Sequence, residues 1–221
     1  MAKENDPRCR PVILFDFDST LADTEGYIVA AATQALSEAG FTPEQMGDVS
    51  RVVGPPYPGA FAAIYGVSEE EDLAITKRYF ELYDWKNPAS HELYPGMRAL
   101  LEDLTKHGKK LAIASSKTRM RLSFCVEDLG LDSLFSCVFA KEDIDGGGKA
   151  ELIRTVMAKL GASADQCVMI GDRFYDIQGA RAAGTASVGV TFGTHKRTEL
   201  EEAGADVVVD SIDELREVLL A

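Results

Sequence analysis

Apolar residues along this chain gather in six short runs: PVILFD at 11–16, KLAIAS at 110–115, CVFA at 137–140, CVMIG at 167–171, SVGV at 187–190 and DVVVD at 206–210. Runs this short that do not alternate with polar residues read as strands buried on both faces. Between them, apolar positions recur at helical spacing over 97–108, 118–130, 149–161 and 174–184, segments that close on Gly108, Gly130, Gly161 and Gly184. A glycine there suits the left-handed cap that ends a helix. The last helix opens on a capping box from Ser211 to Glu214. Buried strands alternating with helices predict an α/β fold built on a doubly wound parallel sheet.

Residues 22–92 break the rhythm. They carry no strand pattern, but they hold a helical stretch at 26–40, a second opening at Thr42-Pro43 with Gln45 in the capping-box position, and a third over 68–85 opening on Ser68 with Glu71. The VVGPPYPGA at 52–60 reads as a loop within this segment. The expected organisation is a discontinuous sheet domain, 1–21 and 93–221, with an all-helical cap domain, 22–92, inserted after the first strand.

Composition narrows the classes of function. The 221 residues carry a net charge of −13, which disfavours a nucleic-acid polymer as partner and requires any anion site to be built locally. The opening MAKENDPRCRP lacks the apolar core of a secretory leader, and no run approaches the roughly 18 apolar residues of a membrane helix, so a cytoplasmic protein with no membrane partner is expected. Cys9, Cys125, Cys137 and Cys167 are too scattered for a metal knuckle and read as reduced thiols. His91, His107 and His195 are equally dispersed, which argues against zinc. Met97, Met120, Met157 and Met169 read as core filler, and the aromatics of RYFELYDW as cap core at helical spacing.

Ligands of open parallel sheets bind beyond the carboxyl ends of the strands. The first strand delivers Asp16 and Asp18 there, the second Ser115, Ser116 and Lys117, and the fourth Asp172 followed by Asp176, while DGGGKAELI presents Lys149 at a helix start. Singly, each fits a solvated turn, a cap hydroxyl or a first-turn charge. Together, four carboxylates converging on one edge require a hard cation, for which Mg²⁺ is suited, and the adjacent lysine and hydroxyl suit a phosphoryl group. One aspartate can attack in line while the other shuttles a proton.

At these residues the chain resembles the haloacid dehalogenase superfamily, in particular its phosphoglycolate-phosphatase-like branch with a helical cap. DFDST matches the motif D-x-D-[GS]-T, AIASSK is similar to the second motif, and Lys149 with GDRFYD resembles the third and fourth. The resemblance covers nearly the whole chain. It implies a phosphatase in which Asp16 is the nucleophile and Asp18 the general acid and then base. Mg²⁺ would be held by Asp16, the main-chain carbonyl of Asp18 and Asp172, with Asp176 behind them, and the phosphoryl group by Ser115, Ser116 and Lys149. Lys141 is the rival for the lysine, because GGGKAEL stands where relatives often carry Lys-Pro, and Ser19 replaces a more frequent glycine.

Other functions fit less well. GGGK fails as a nucleotide-binding loop, since Asp143 stands at the first glycine position and Ala150 where Ser or Thr is needed, and no G-x-G-x-x-G follows the first strand. Asp18 argues against dehalogenation, and GPPYPGAF lacks the cap lysine of phosphonatase-like relatives. A β-phosphoglucomutase-type phosphomutase and a silent sensor of phosphorylated metabolites remain as alternatives. The expected substrate is a small phosphomonoester, phosphoglycolate or a nucleoside monophosphate, read by cap-loop residues that include Arg51, Gly54, Pro55 and Tyr57. The state is monomer or homodimer.

Overall fold

In the computed structural model, which describes residues 6–8, 10–193 and 196–221, the apolar runs form β1 (Val12–Phe15), β2 (Lys110–Ala114), β3 (Cys137–Phe139), β4 (Cys167–Gly171), β5 (Ala186–Val190) and β6 (Val207–Val209). Cys9 and His195 lie outside the described residues. The strands pair in the order β3-β2-β1-β4-β5-β6, every neighbour parallel. Central β1 has β2 on one side and β4 on the other, in register Phe15 to Ile113 and Phe15 to Ile170. The chain moves outward to β3 and then crosses back to β4, so the carboxyl end of β1 is the switch point where a ligand crevice opens.

Alternation along the strands feeds two cores. Ile13, Phe15, Leu111, Ile113, Val168 and Ile170 point to one face, against α5 (Met97–Lys106), α6 (Arg119–Asp128) and α10 (Ile212–Leu220). Val12, Leu14, Ala112, Ala114 and Met169 point to the other, against α7 (Gly148–Leu160) and α8 (Phe174–Ala183). This two-sided burial explains why the strand sequences show no polar alternation. The short helix α9 (Arg197–Glu202) covers the β5 side, where Leu200 packs.

Between β1 and α5 lie α1 (Glu25–Glu38), α2 (Pro43–Met46), α3 (Ala60–Tyr65) and α4 (Glu69–Leu82), with no strand among them. Their apolar faces, including Ile28, Leu36, Phe61, Ile75 and Tyr79, form a cluster of their own, separate from the two sheet cores. The capping boxes at Thr42 with Gln45 and Ser68 with Glu71 are both formed. At Ser211 only half of the box forms: its side chain takes the Glu214 N–H, while the Glu214 carboxylate takes the N–H of Asp210 at 2.7 Å. Met97, Met157 and Met169 are buried, but Met120 is 62% exposed on the outer face of α6, so it fills no core. His91 is interior and bonds Asp128 at 3.0 Å, and Cys125, Cys137 and Cys167 are free thiols.

Asp72 on α4 ties the helical segment together. Its buried carboxylate accepts the N–H groups of Gly59 (2.7 Å) and Ala62 (2.9 Å) at the start of α3. Asp72→Ala strands both donors and is expected to cost about 2–3 kcal/mol in urea unfolding, with Asp72→Asn losing less; equal stability of Asp72→Ala and wild type would refute this role.

Candidate active site

β1 ends at Phe15, ahead of both aspartates, so Asp16 and Asp18 emerge in the following turn and need not share a face. The Asp16 N–H donates to Ile170 at 2.9 Å, continuing the β1–β4 pairing for one more residue. Each carboxylate then meets its own lysine: Lys149 Nζ lies 3.1 Å from Asp16 Oδ2, and Lys117 Nζ lies 2.7 Å from Asp18 Oδ1. Two like charges one residue apart are tolerated because the turn sends them to different cations. Ser19 adopts φ 56°, the left-handed region, which explains why glycine is the commoner residue there in the resembling motif.

Lys149 also reaches Asp176 Oδ1 at 2.7 Å and the Ala114 carbonyl at 2.9 Å, which fixes it over the β2 terminus. Its rival Lys141 sits instead in a short 3-10 turn, Lys141–Asp143. Two glycines make room for Lys149 and Asp176. A Cβ at Gly171 would lie 2.2 Å from Asp176 Cγ, and one at Gly179 would lie 2.7 Å from Lys149 Cγ. Thr20 Oγ1 donates to Asp172 Oδ1 at 3.1 Å.

Asp16, Asp172 and Asp176, all buried, bring carboxylate oxygens within 4.8 Å of one another. Burial first, then the charges of Asp176 and Asp16, push the Asp172 carboxyl well above the usual range. Burial pushes Asp176 up to about 6 against the pull of Lys149. Burial opposes the charge on Lys149, but Asp16 and Asp176 outweigh it and raise its proton affinity overall. Four carboxylates against the two lysines leave two negative charges when all are ionised, the charge that one divalent cation supplies. The all-oxygen donor set fits a hard ion such as Mg²⁺.

Above this edge, Ser115, Ser116, Lys117 and Arg121 of the sheet side face Gly54, Pro55, Tyr57, Tyr79, Phe80 and Tyr83 of the helical segment across a cavity of about 40 Å³, which Asp16 and Asp18 also line. Ser115 is buried, and its Oγ accepts the Lys117 N–H at 3.3 Å. Of the four cap-loop residues expected to read substrate, Arg51 does not reach this cavity and is exposed. Three aromatics of RYFELYDW both pack in the helical core and line the cavity. Sequence reasoning placed Lys117 on the right edge without a role, and passed over Arg121; the only signal for Lys117 was its place two residues beyond Ser115, in SSK. Arg173, directly after Asp172, fastens the two parts: it pairs with Glu199 at 3.0 Å and donates to the carbonyl of Val53 in the cap loop.

A profile described as haloacid dehalogenase-like hydrolase matches residues 13–190. A 5'-nucleotidase of Pseudomonas aeruginosa is 30% identical over 95% of this chain and 95% of its own length. A phosphoglycolate phosphatase of Agrobacterium fabrum is 29% identical over 95% and 92%. Among solved structures, that of a predicted phosphatase from Clostridium acetobutylicum superposes with a TM-score of 0.84 at 32% identity, covering 94% of this chain and 97% of that one. The chain therefore belongs to the haloacid dehalogenase-like hydrolase family, and it stands with the family's phosphatases, enzymes that hydrolyse phosphoric monoesters.

Two predictions follow from the packing of the site. Gly179→Ala forces Lys149 away from α8 and is expected to cost about 1–3 kcal/mol in denaturant unfolding together with a loss of turnover; an unchanged midpoint and rate would contradict the close approach. Where the chain enters α1, burial pushes the Glu25 carboxyl from 4.5 up to about 7, with Arg173 opposing and Asp23 and Asp48 adding to the rise. The unfolded chain ionises Glu25 earlier than the folded one, so this group's contribution to stability is lost as pH climbs from about 4.5 through about 7. Glu25→Gln should gain stability relative to wild type at pH 8 compared with pH 4, measured by urea midpoints. A difference that does not vary with pH would rule it out.

Proposed function

We propose that the chain is a Mg²⁺-dependent phosphomonoesterase that hydrolyses a small phosphorylated metabolite through an aspartyl-phosphate on Asp16. The observation that carries this reading is the separation of the two aspartates: Asp16 stands in the buried acidic cluster with Lys149, while Asp18 is held apart by Lys117 on the cavity wall. Asp16, the main-chain carbonyl of Asp18 and Asp172 would hold the Mg²⁺, which would supply positive charge against the phosphoryl oxygens.

Asp16 attacks phosphorus in line with the ester oxygen, forming the acyl-phosphate bond as the P–O bond to the leaving group breaks. Asp18 gives its proton to the departing alkoxide. A water molecule then attacks the phosphorus, Asp18 takes back a proton, and phosphate leaves with Asp16 restored as a carboxylate. Lys149, the Ser115 hydroxyl and the Ser116 N–H grip the phosphoryl oxygens, where fixed donors act most strongly. Asp176 orients Lys149.

In this reading residues 22–92 act as a cap over a core of 1–21 and 93–221, and exclude bulk water when the Arg173 contacts are made. Their separate apolar cluster supports that division. The free described cysteines support a reducing compartment such as the cytoplasm. The names of the relatives support phosphoglycolate or a nucleoside monophosphate as substrate.

Phosphate release from these esters with Mg²⁺, or with EDTA, tests the proposal. Wild type should be active only with metal, Asp16→Asn inactive, and Asp18→Asn slower in kcat by about 10²–10⁴-fold. Metal-independent release, or full activity in Asp16→Asn, would overturn it; conversion of a hexose 1-phosphate to its isomer without phosphate release would make the chain a mutase.

A further inference from the structure

Two cations line the cavity, and they are partnered differently. Lys117 is paired with Asp18, but among the described residues no carboxylate stands in ion-pair contact with Arg121, in the first turn of α6. Arg121 is only 8% exposed. One of its terminal nitrogens donates to Thr118 Oγ1 at 3.1 Å, while its Nε is buried with no acceptor. The guanidinium lies 3.8 Å from the Phe80 ring centroid and 5.6 Å from that of Trp85.

Stacking on aromatic faces fixes the plane of a guanidinium without neutralising it. A buried cation with an unused donor is costly unless something completes its shell. An arginine serving only to support Phe80 needs no place on the cavity wall, yet this one lines the same cavity as Asp16 and Asp18 with one buried donor left unpartnered. Arg121 and the two aspartates line one small cavity, so a second anion that reached the guanidinium would lie only a few atoms from the phosphoryl group.

We propose that Arg121 takes a second anion carried by the substrate, so that the site selects short phosphomonoesters whose leaving group ends in a carboxylate or a phosphate. This rests on the phosphatase reading and narrows it. Arg121 acts as a specificity residue, with a planar fork suited to either oxyanion.

The test compares kcat/KM for phosphoglycolate and ethylene glycol bisphosphate, which carry a second anion, with that for 2-hydroxyethyl phosphate, an ester of similar size that does not; acetyl phosphate reports the bare chemistry. In wild type an anionic substrate should exceed the neutral one. Arg121→Met should lower that ratio by about 10–100-fold, chiefly through KM, and Arg121→Lys should keep part of it. The ratio is unaffected by how much of the variant folds. Preference for phosphoglycolate names a carboxylate, and preference for ethylene glycol bisphosphate a phosphate. A wild-type ratio near one, or a ratio unchanged in Arg121→Met, overturns the assignment of Arg121 while phosphate release continues. If none of the four compounds yields phosphate while a nucleoside monophosphate does, the assignment of Arg121 fails alone; if the nucleoside monophosphate yields none either, the phosphatase reading fails with it.

Discussion

Repulsion among buried carboxylates is the constraint that the rest of this structure answers. Asp16, Asp172 and Asp176 are crowded together at the one place in the sheet where the connections diverge and leave a crevice. Lys149 is the internal answer, spanning Asp16 and Asp176 from a third element. Because it must reach the cluster from α7, α8 has to let it pass, and Gly179 does so; because Asp176 must fold back on the strand that precedes it, Gly171 ends β4. The backbone is shaped to the charges, and the residual negative charge makes the cluster a place for a cation.

The second consequence is a division of labour between two lysines. With Lys149 committed to Asp16 and Asp176, Asp18 is left to Lys117, whose Nζ also stands 3.5 Å from the Tyr83 hydroxyl on the helical side. Burial opposes the Lys117 charge, but Asp18 and Tyr83 more than restore it. Arg173, held on its own side by Glu199, makes a parallel connection further along the edge through its bond to the Val53 carbonyl. Sheet and helical segment therefore meet through polar contacts beside the acidic cluster as well as through aromatic ones, Trp85 on Phe124 among them.

Much of this was legible in the sequence because buried parallel strands leave unbroken apolar runs, and the residue just past each run must lie on one edge. That logic located Asp16, Asp18, Ser115, Asp172 and Lys149 from one dimension. It could not say how Asp16 and Asp18 would part, because the answer depends on β1 ending at Phe15 and on lysines that follow other strands. Arg121 was hidden for a similar reason. In the sequence it is one of three basic residues, with Lys117 and Arg119, in a five-residue stretch, and only packing against Phe80 and Trp85 singles it out from Arg119. Met120 misled because helical position alone does not tell which face of α6 meets the sheet.

A protein with a net charge of −13 that binds phosphate esters must reconcile its overall field with its site. Surface charges act weakly beyond a Debye length of about 8 Å at physiological ionic strength, whereas buried groups at hydrogen-bond distance are barely screened. An extended polyanion would meet the acidic surface along its whole length and gain from the site only once. A small anion inside the cavity would meet Lys117 and Arg121 at close range and almost none of the outer charge. The same acidic exterior that disfavours polymers thus leaves compact anions free to bind.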